Sequence, residues 1–111
     1  MKTVMILGTE YKIFEDVSVG EMPENSDGCM DQSTRTIKVV KFESGRNSLQ
    51  DLENYKKEVL RHEIIHAFLY ESGLWNNSES VNAWACSEEI TDWMAIQFPK
   101  IHRAFTEVGC E

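Results

Sequence analysis

The sequence predicts an α+β domain over residues 1–111, in which a small, mostly antiparallel sheet is followed by a long helix and then by a second helix. Three features predict it. Short β-branched and aromatic runs, broken by turn residues, fill the first 42 positions. From Leu49 onward the apolar residues recur at steps of three and four instead of two. Gly and Pro fall where elements should end. With 111 residues, 41% hydrophobic and 27% charged, the chain has the size and composition of one globular unit with one core.

The runs "TVMIL", "YKIF" and "DVSV", between Thr3 and Val19, suit strands, with a break at Gly8 and Thr9. The stretch "GEMPENSDG", residues 20–28, collects turn residues and reads as a loop. "CMDQSTRTIKVVKF" then reads as a hairpin: a strand, a turn near "DQST", and a strand centred on Ile37, Val39 and Val40. That second strand is either internal or a sheet edge able to pair with an extended peptide. After "ESGRNS", Asn47 or Ser48 is the expected cap of the first helix.

Leu52, Tyr55, Val59, Leu60, Ile64, Ala67 and Phe68 define a helix from about Leu49 to Ser72, and Gly73 stands where a left-handed residue would stop it. Its first half is charged and should be wet on one side, whereas "IIHAFL" should be buried. "WNNSES" connects to a second helix from about Val81 to Gln97, with Pro99 as its stop and a final turn possible in the tail.

The charge balance narrows the partners. Nineteen acidic against eleven basic residues give a formal charge of -8, which excludes a broad basic face for nucleic acid and favours peptides or cations. "MKTVMILGTEYK" carries an apolar run of only four residues before Gly8 and no small-residue cleavage site, and no run approaches the roughly 20 apolar residues of a membrane span. Cys29, Cys86 and Cys110 are odd in number and far apart, which favours a reducing compartment. The expectation is a cytoplasmic protein without membrane contact, its oligomeric state open.

The chemistry lies in "HEIIH", residues 62–66, because His62 and His66 stand one helical turn apart on one face and can converge on one ion. Glu63 is rotated by about 100 degrees from His62, beside the ion and not on it, where its carboxylate can take a proton from an activated water. Ligand, base and second ligand are what a zinc hydrolase requires at this spacing. The plain alternative is two partly exposed histidines and a solvated acid on a helix face.

A catalytic zinc commonly takes a third protein ligand. The metzincin continuation is absent, since Leu69 and Ser72 occupy its Gly and His positions. His102 lies 36 residues after His66 and beyond Pro99, and reaches only if the tail folds back. Glu88 and Asp92 share a helix face four residues apart, Glu88 lying 22 residues after His66, which suits a ligand and a group that orients a ligating histidine. Glu89 is the alternative ligand if that helix is rotated. The plain reading of these acids is a helix first turn that complements the dipole.

"HEIIH" followed by "SEEITD" resembles the gluzincin pattern of thermolysin-like zinc peptidases. The stretch from residue 60 to 101 also resembles minimal zinc metallopeptidase-like proteins of phages and mobile elements, and more distantly the ImmA/IrrE and SprT groups. The resemblance implies a minimal zincin-like core in which His62, His66 and Glu88 hold Zn2+, Glu63 is the catalytic base and Asp92 supports a histidine. It implies a peptidase acting on a peptide or protein substrate. Two departures stand out: Ser87 replaces the Asn frequent before the Glu ligand, and the oxyanion donor that a downstream domain supplies in the larger enzymes is expected to come instead from Tyr55, Tyr70 or His102. A zinc-bound binding or regulatory module without turnover is the alternative function. Cys86 is expected in the core and not on the metal. Trp75, Trp84 and Trp93 are expected in the core more than in a substrate wall.

Overall fold

The computed structural model describes residues 1–43, 50–76 and 84–111. It is α+β, as expected: four strands, β1 (Lys2–Ile6), β2 (Thr9–Val17), β3 (Gly28–Asp31) and β4 (Thr36–Val40), precede two helices, α1 (Leu52–Glu71) and α2 (Glu88–Val108). The sheet order is β1-β2-β4-β3, with β1/β2 and β3/β4 antiparallel and β2/β4 parallel. The expected hairpin over residues 29–42 is present, and β4 is its internal strand. The sheet-edge alternative for "TIKVVKF" therefore fails: β3 and β1 are the edges.

The turn between β1 and β2 consists of Leu7 (φ 48°) and Gly8 (φ 87°), both left-handed, which is the two-residue turn whose twist matches flanking strands. Glycine meets that demand without cost and leucine does not. "DVSV" is not a strand of its own, because β2 runs on to Val17 with an irregularity between Phe14 and Val17 and a left-handed Asp16. Val19–Glu21 form a short 3-10 turn.

One sheet face is apolar and buried. Ile6, Tyr11, Ile13 and Ile37 form the core with Ala67 of α1, flanked by Val4, Met30, Leu60 and Ile64. The alternation of strand side chains explains the selection: Ile37 and Val39 point inward, Thr36 and Lys38 outward. Polar ties fix α1 on the sheet along its length. Tyr11 and Thr9 donate to the Glu71 carboxylate at 2.8 and 3.0 Å, Tyr55 donates to Asp27 at 2.6 Å, and Lys56 pairs with Asp16 at 3.1 Å. Burial and the neighbouring Glu71 carboxylate push the Tyr11 hydroxyl well above its ordinary pKa, so it stays a donor.

Helix ends follow local chemistry. Asp51 caps α1 by accepting from the Asn54 amide, whereas Asn47 and Ser48 lie outside the described residues. Gly73 is left-handed (φ 87°) just past α1, as predicted. The second helix departs from expectation at both ends. It starts at Glu88, capped by Ser87, after a 3-10 turn at Trp84–Cys86; Val81 lies outside the described residues. It continues through Pro99 to Val108 and ends at a left-handed Gly109. Proline was expected to stop it because it supplies no N–H, and the structure shows what takes that donor's place: the Ala95 carbonyl accepts from Arg61 Nε of α1 at 2.6 Å.

Two stability measurements check this account. Leu7→Asn should raise the free energy of unfolding by about 0.5–1 kcal/mol, because Leu7 is an exposed left-handed residue; a destabilised variant in thermal melts would contradict it. Arg61→Met should cost about 1–2 kcal/mol by leaving the Ala95 carbonyl unpaired. In a Pro99→Ala background, where the position-99 amide can bond that carbonyl, the cost should shrink; equal costs in chemical denaturation would refute the link.

Candidate metal centre

The site forms where α1 meets the start of α2. On α1 the residues after Arg61 turn inward: Glu63 and His66 are buried, and His62 is half-buried. At Glu63 the helix comes close to the sheet because β3 begins with glycine. A Cβ on Gly28 would stand 2.7 Å from Val59 Cγ1 and 3.1 Å from Glu63 Cγ. Val59 and Glu63 therefore face the first residue of β3, and Gly28, which also lines the hollow with His62, is a site element that sequence reasoning placed merely at the end of a loop.

Opposite them, Ser87 starts α2 one residue before Glu88, so Glu88 projects from the first turn towards α1. Its carboxylate straddles both imidazoles, with Oε2 at 3.0 Å from His62 Nε2 and Oε1 at 2.9 Å from His66 Nε2. The two Nε2 atoms are 3.0 Å apart. Three donors around one tetrahedral ion, each about 2.0–2.2 Å away, stand roughly 3.3 Å from one another, close to this spacing. His62, His66 and Glu88 form a group that can hold a metal ion.

His66 Nδ1 is buried without a hydrogen-bond partner among the described residues, while its Nε2 faces both the His62 imidazole and the Glu88 carboxylate. Burial pushes the His66 pKa below the ordinary imidazole value, so its uncharged, ligating form is favoured. On the outer side of His62, Nδ1 lies 3.4 Å from Asp92 Oδ1. A proton directed at Asp92 leaves the Nε2 lone pair turned towards the cluster. Donor chemistry and spacing fit a divalent cation.

Glu63 lines a cavity of about 210 Å³ with Asp27, Gly28, Tyr55, Glu58, Val59, His62, Glu88 and Asp92. Burial is the main cause that pushes its pKa up to about 7; His62 lowers it and Glu88 raises it. It is thus beside the cluster, in the same hollow, and close to neutral titration. Among the described residues, five carboxylates and no lysine or arginine line this hollow. A larger one of about 790 Å³, on the sheet face away from the helices, is lined by residues such as Phe14, Met22, Cys29 and Lys38 and holds none of the cluster.

The remaining sequence candidates separate cleanly. Glu89 is exposed and outside the group, although it shares the first turn of α2 with Glu88. His102 stacks on Phe98, fourteen residues or roughly 21 Å along α2 from Glu88, which removes it as a ligand or oxyanion donor. Tyr70 packs against Trp75, and the Tyr55 hydroxyl, pushed up to about 12 mainly by its bond to Asp27, lines the hollow. Cys86 directs its thiol to the Trp75 carbonyl at 3.7 Å and takes no part in the cluster. Trp75 packs edge-on against His66 at 5.4 Å, so it braces an imidazole. Trp93 is 53% exposed, and the core expectation fails for it. Phe68, expected to be buried, is 41% exposed.

Sequence reasoning also missed Arg61. Its signal was present in an arginine directly before the motif and a proline inside an otherwise helical pattern, but only the packing of α1 on α2 connects them. Comparison with protein-family models, curated proteins and solved structures finds no match to this chain. No helix among the described residues is long and apolar enough to cross a membrane.

Gly28→Ala tests the close approach. The added methyl meets Val59 and Glu63, so stability should fall by about 1–3 kcal/mol and metal affinity should fall with it. A neutral effect on both, measured by denaturation and zinc titration, would show that α1 is not seated on this glycine.

Proposed function

We propose that the protein is a zinc-dependent peptidase whose metal is held by His62, His66 and Glu88. The observation that carries this is the meeting of the three donor atoms beside a buried carboxylate, Glu63, in one hollow. When bound, zinc would supply Lewis acidity and make a water acidic enough to deprotonate near neutral pH. Glu63 accepts that proton at its carboxylate and returns it to the leaving amine. Asp92 keeps the His62 ring in its ligating tautomer. The resemblance of "HEIIH" and "SEEITD" to the gluzincin pattern supports the same assignment.

The hollow also indicates how a peptide would lie. Strand β3 is a sheet edge beginning at Gly28 on the cavity wall, so an extended peptide can pair with it and pass the metal. Asp27 and Glu58 on that wall favour positively charged peptides.

A specific observation favours a second reading, a zinc-bound binding module without turnover. Among the described residues no lysine or arginine lines the hollow, and the Tyr55 hydroxyl in it is engaged by Asp27. An oxyanion would have to draw Tyr55 away from that bond.

Elemental analysis and peptide cleavage decide between them. One zinc per chain is expected, lost in Glu88→Ala and retained in Glu89→Ala. Glu63→Gln should keep the metal and lower hydrolysis by at least about a hundredfold. Zinc without cleavage of any basic peptide would establish the binding module; an absence of zinc would remove both readings.

A further inference from the structure

The second half of α2 leaves the body of the domain. The buried residues of this helix, Thr91 and Ala95, both lie in its first half, and every residue after Ile101 is exposed. The projecting part is nonetheless apolar along one side, where Phe98 is 54%, Phe105 46% and Val108 75% exposed. Scattered exposed apolar residues are ordinary, whereas a continuous stripe on a projecting helix marks a surface with a partner.

The pattern of the stripe identifies the partner. Met94, Gln97, Ile101, Ala104 and Val108 follow one another at alternating steps of three and four, the repeat of a two-helix seam. We propose that this half of α2 pairs antiparallel with α2 of a second copy of the chain, about a twofold axis between Ile101 and Ala104. In that register Ile101 faces Ala104 of the second copy, and Gln97 and Val108 close the ends. The flanking rows then bring Phe98 against Phe105 and Lys100 against Glu107, each contact being made twice. Neither Lys100 nor Glu107 has an ion-pair partner within its own chain among the described residues.

Competing arrangements are poorer. Sliding the antiparallel pair by seven residues towards the N-termini sets Lys100 against its own copy. A parallel pair leaves Lys100 beside Phe105 and Glu107 without a counterpart. A lipid surface is less suited to a chain of net charge -8. Four phenylalanines and the aliphatic seam remove on the order of 1,000 Å² in total, the lower bound of specific interfaces, so dissociation is expected at about micromolar concentration.

Sedimentation velocity of the full chain tests this, under reducing conditions because Cys110 is exposed. A dimer is expected. Phe105→Gln should be monomeric with unchanged helical circular dichroism. Lys100→Glu and Glu107→Lys should each weaken association roughly tenfold, and the double exchange should recover most of it. A monomer up to a few hundred micromolar, whether or not it binds anionic vesicles, overturns the proposal. A dimer indifferent to Phe105→Gln or to the charge exchanges overturns this face and register.

Discussion

The close approach of α1 to the first residue of β3 is the constraint on which the rest depends. A helix held at ordinary distance from the sheet would leave its polar face wet; with no side chain at Gly28, Val59 and Glu63 reach the strand itself. Burial of Glu63 follows from that contact, His66 is buried further along α1 against Trp75, and burial raises the Glu63 pKa and lowers that of His66. Both shifts reflect the cost of placing charge in a poorly solvated region. The core beneath, from Tyr11 to Ala67, is apolar enough to keep the helix seated.

Because α1 is held at several points, the second helix has little freedom in how it meets it. Ser87 fixes where α2 begins, so Glu88 is its first residue and stands opposite His62 and His66. Further along, the absent amide of Pro99 leaves the Ala95 carbonyl to Arg61, one residue before the motif. A proline that would elsewhere weaken a helix here exchanges an internal hydrogen bond for one between helices. The cap and the interhelical bond together set the distance between the carboxylate and the imidazoles. Trp75 closes the cluster from the other side against His66.

The electrostatic character of the hollow fits its geometry. Five carboxylates around one small cavity repel one another and draw in cations, and this field adds to the local affinity of the His/His/Glu group. The same field disfavours anionic ligands in the hollow. Beyond Pro99 α2 carries none of the cluster residues, and exposed apolar side chains run along the helix on both sides of the proline, at Trp93 and Phe98 before it and at Phe105 and Val108 after it.

Much of the fold and of the candidate metal centre is legible in the order of residues alone. The shift in period at the start of α1 implies the α+β order, Gly73 marks the end of that helix, and the four-residue spacings in His62/His66 and Glu88/Asp92 define two faces that can meet, because periodicity and short-range geometry are local properties. Non-local contacts are not legible in this way. The choice of Glu88 over Glu89 rests on the rotation of α2 about its axis, which its packing on α1 sets. The persistence of α2 through Pro99 rests on Arg61, 38 residues earlier, satisfying a carbonyl that local propensity counts as lost. The internal place of β4 and the edge place of β3 rest on a parallel pairing with β2 that no local signal encodes. The sequence by itself determined the periods, the caps and the donor atoms; tertiary structure decided which faces meet, because that depends on contacts between residues far apart in the chain.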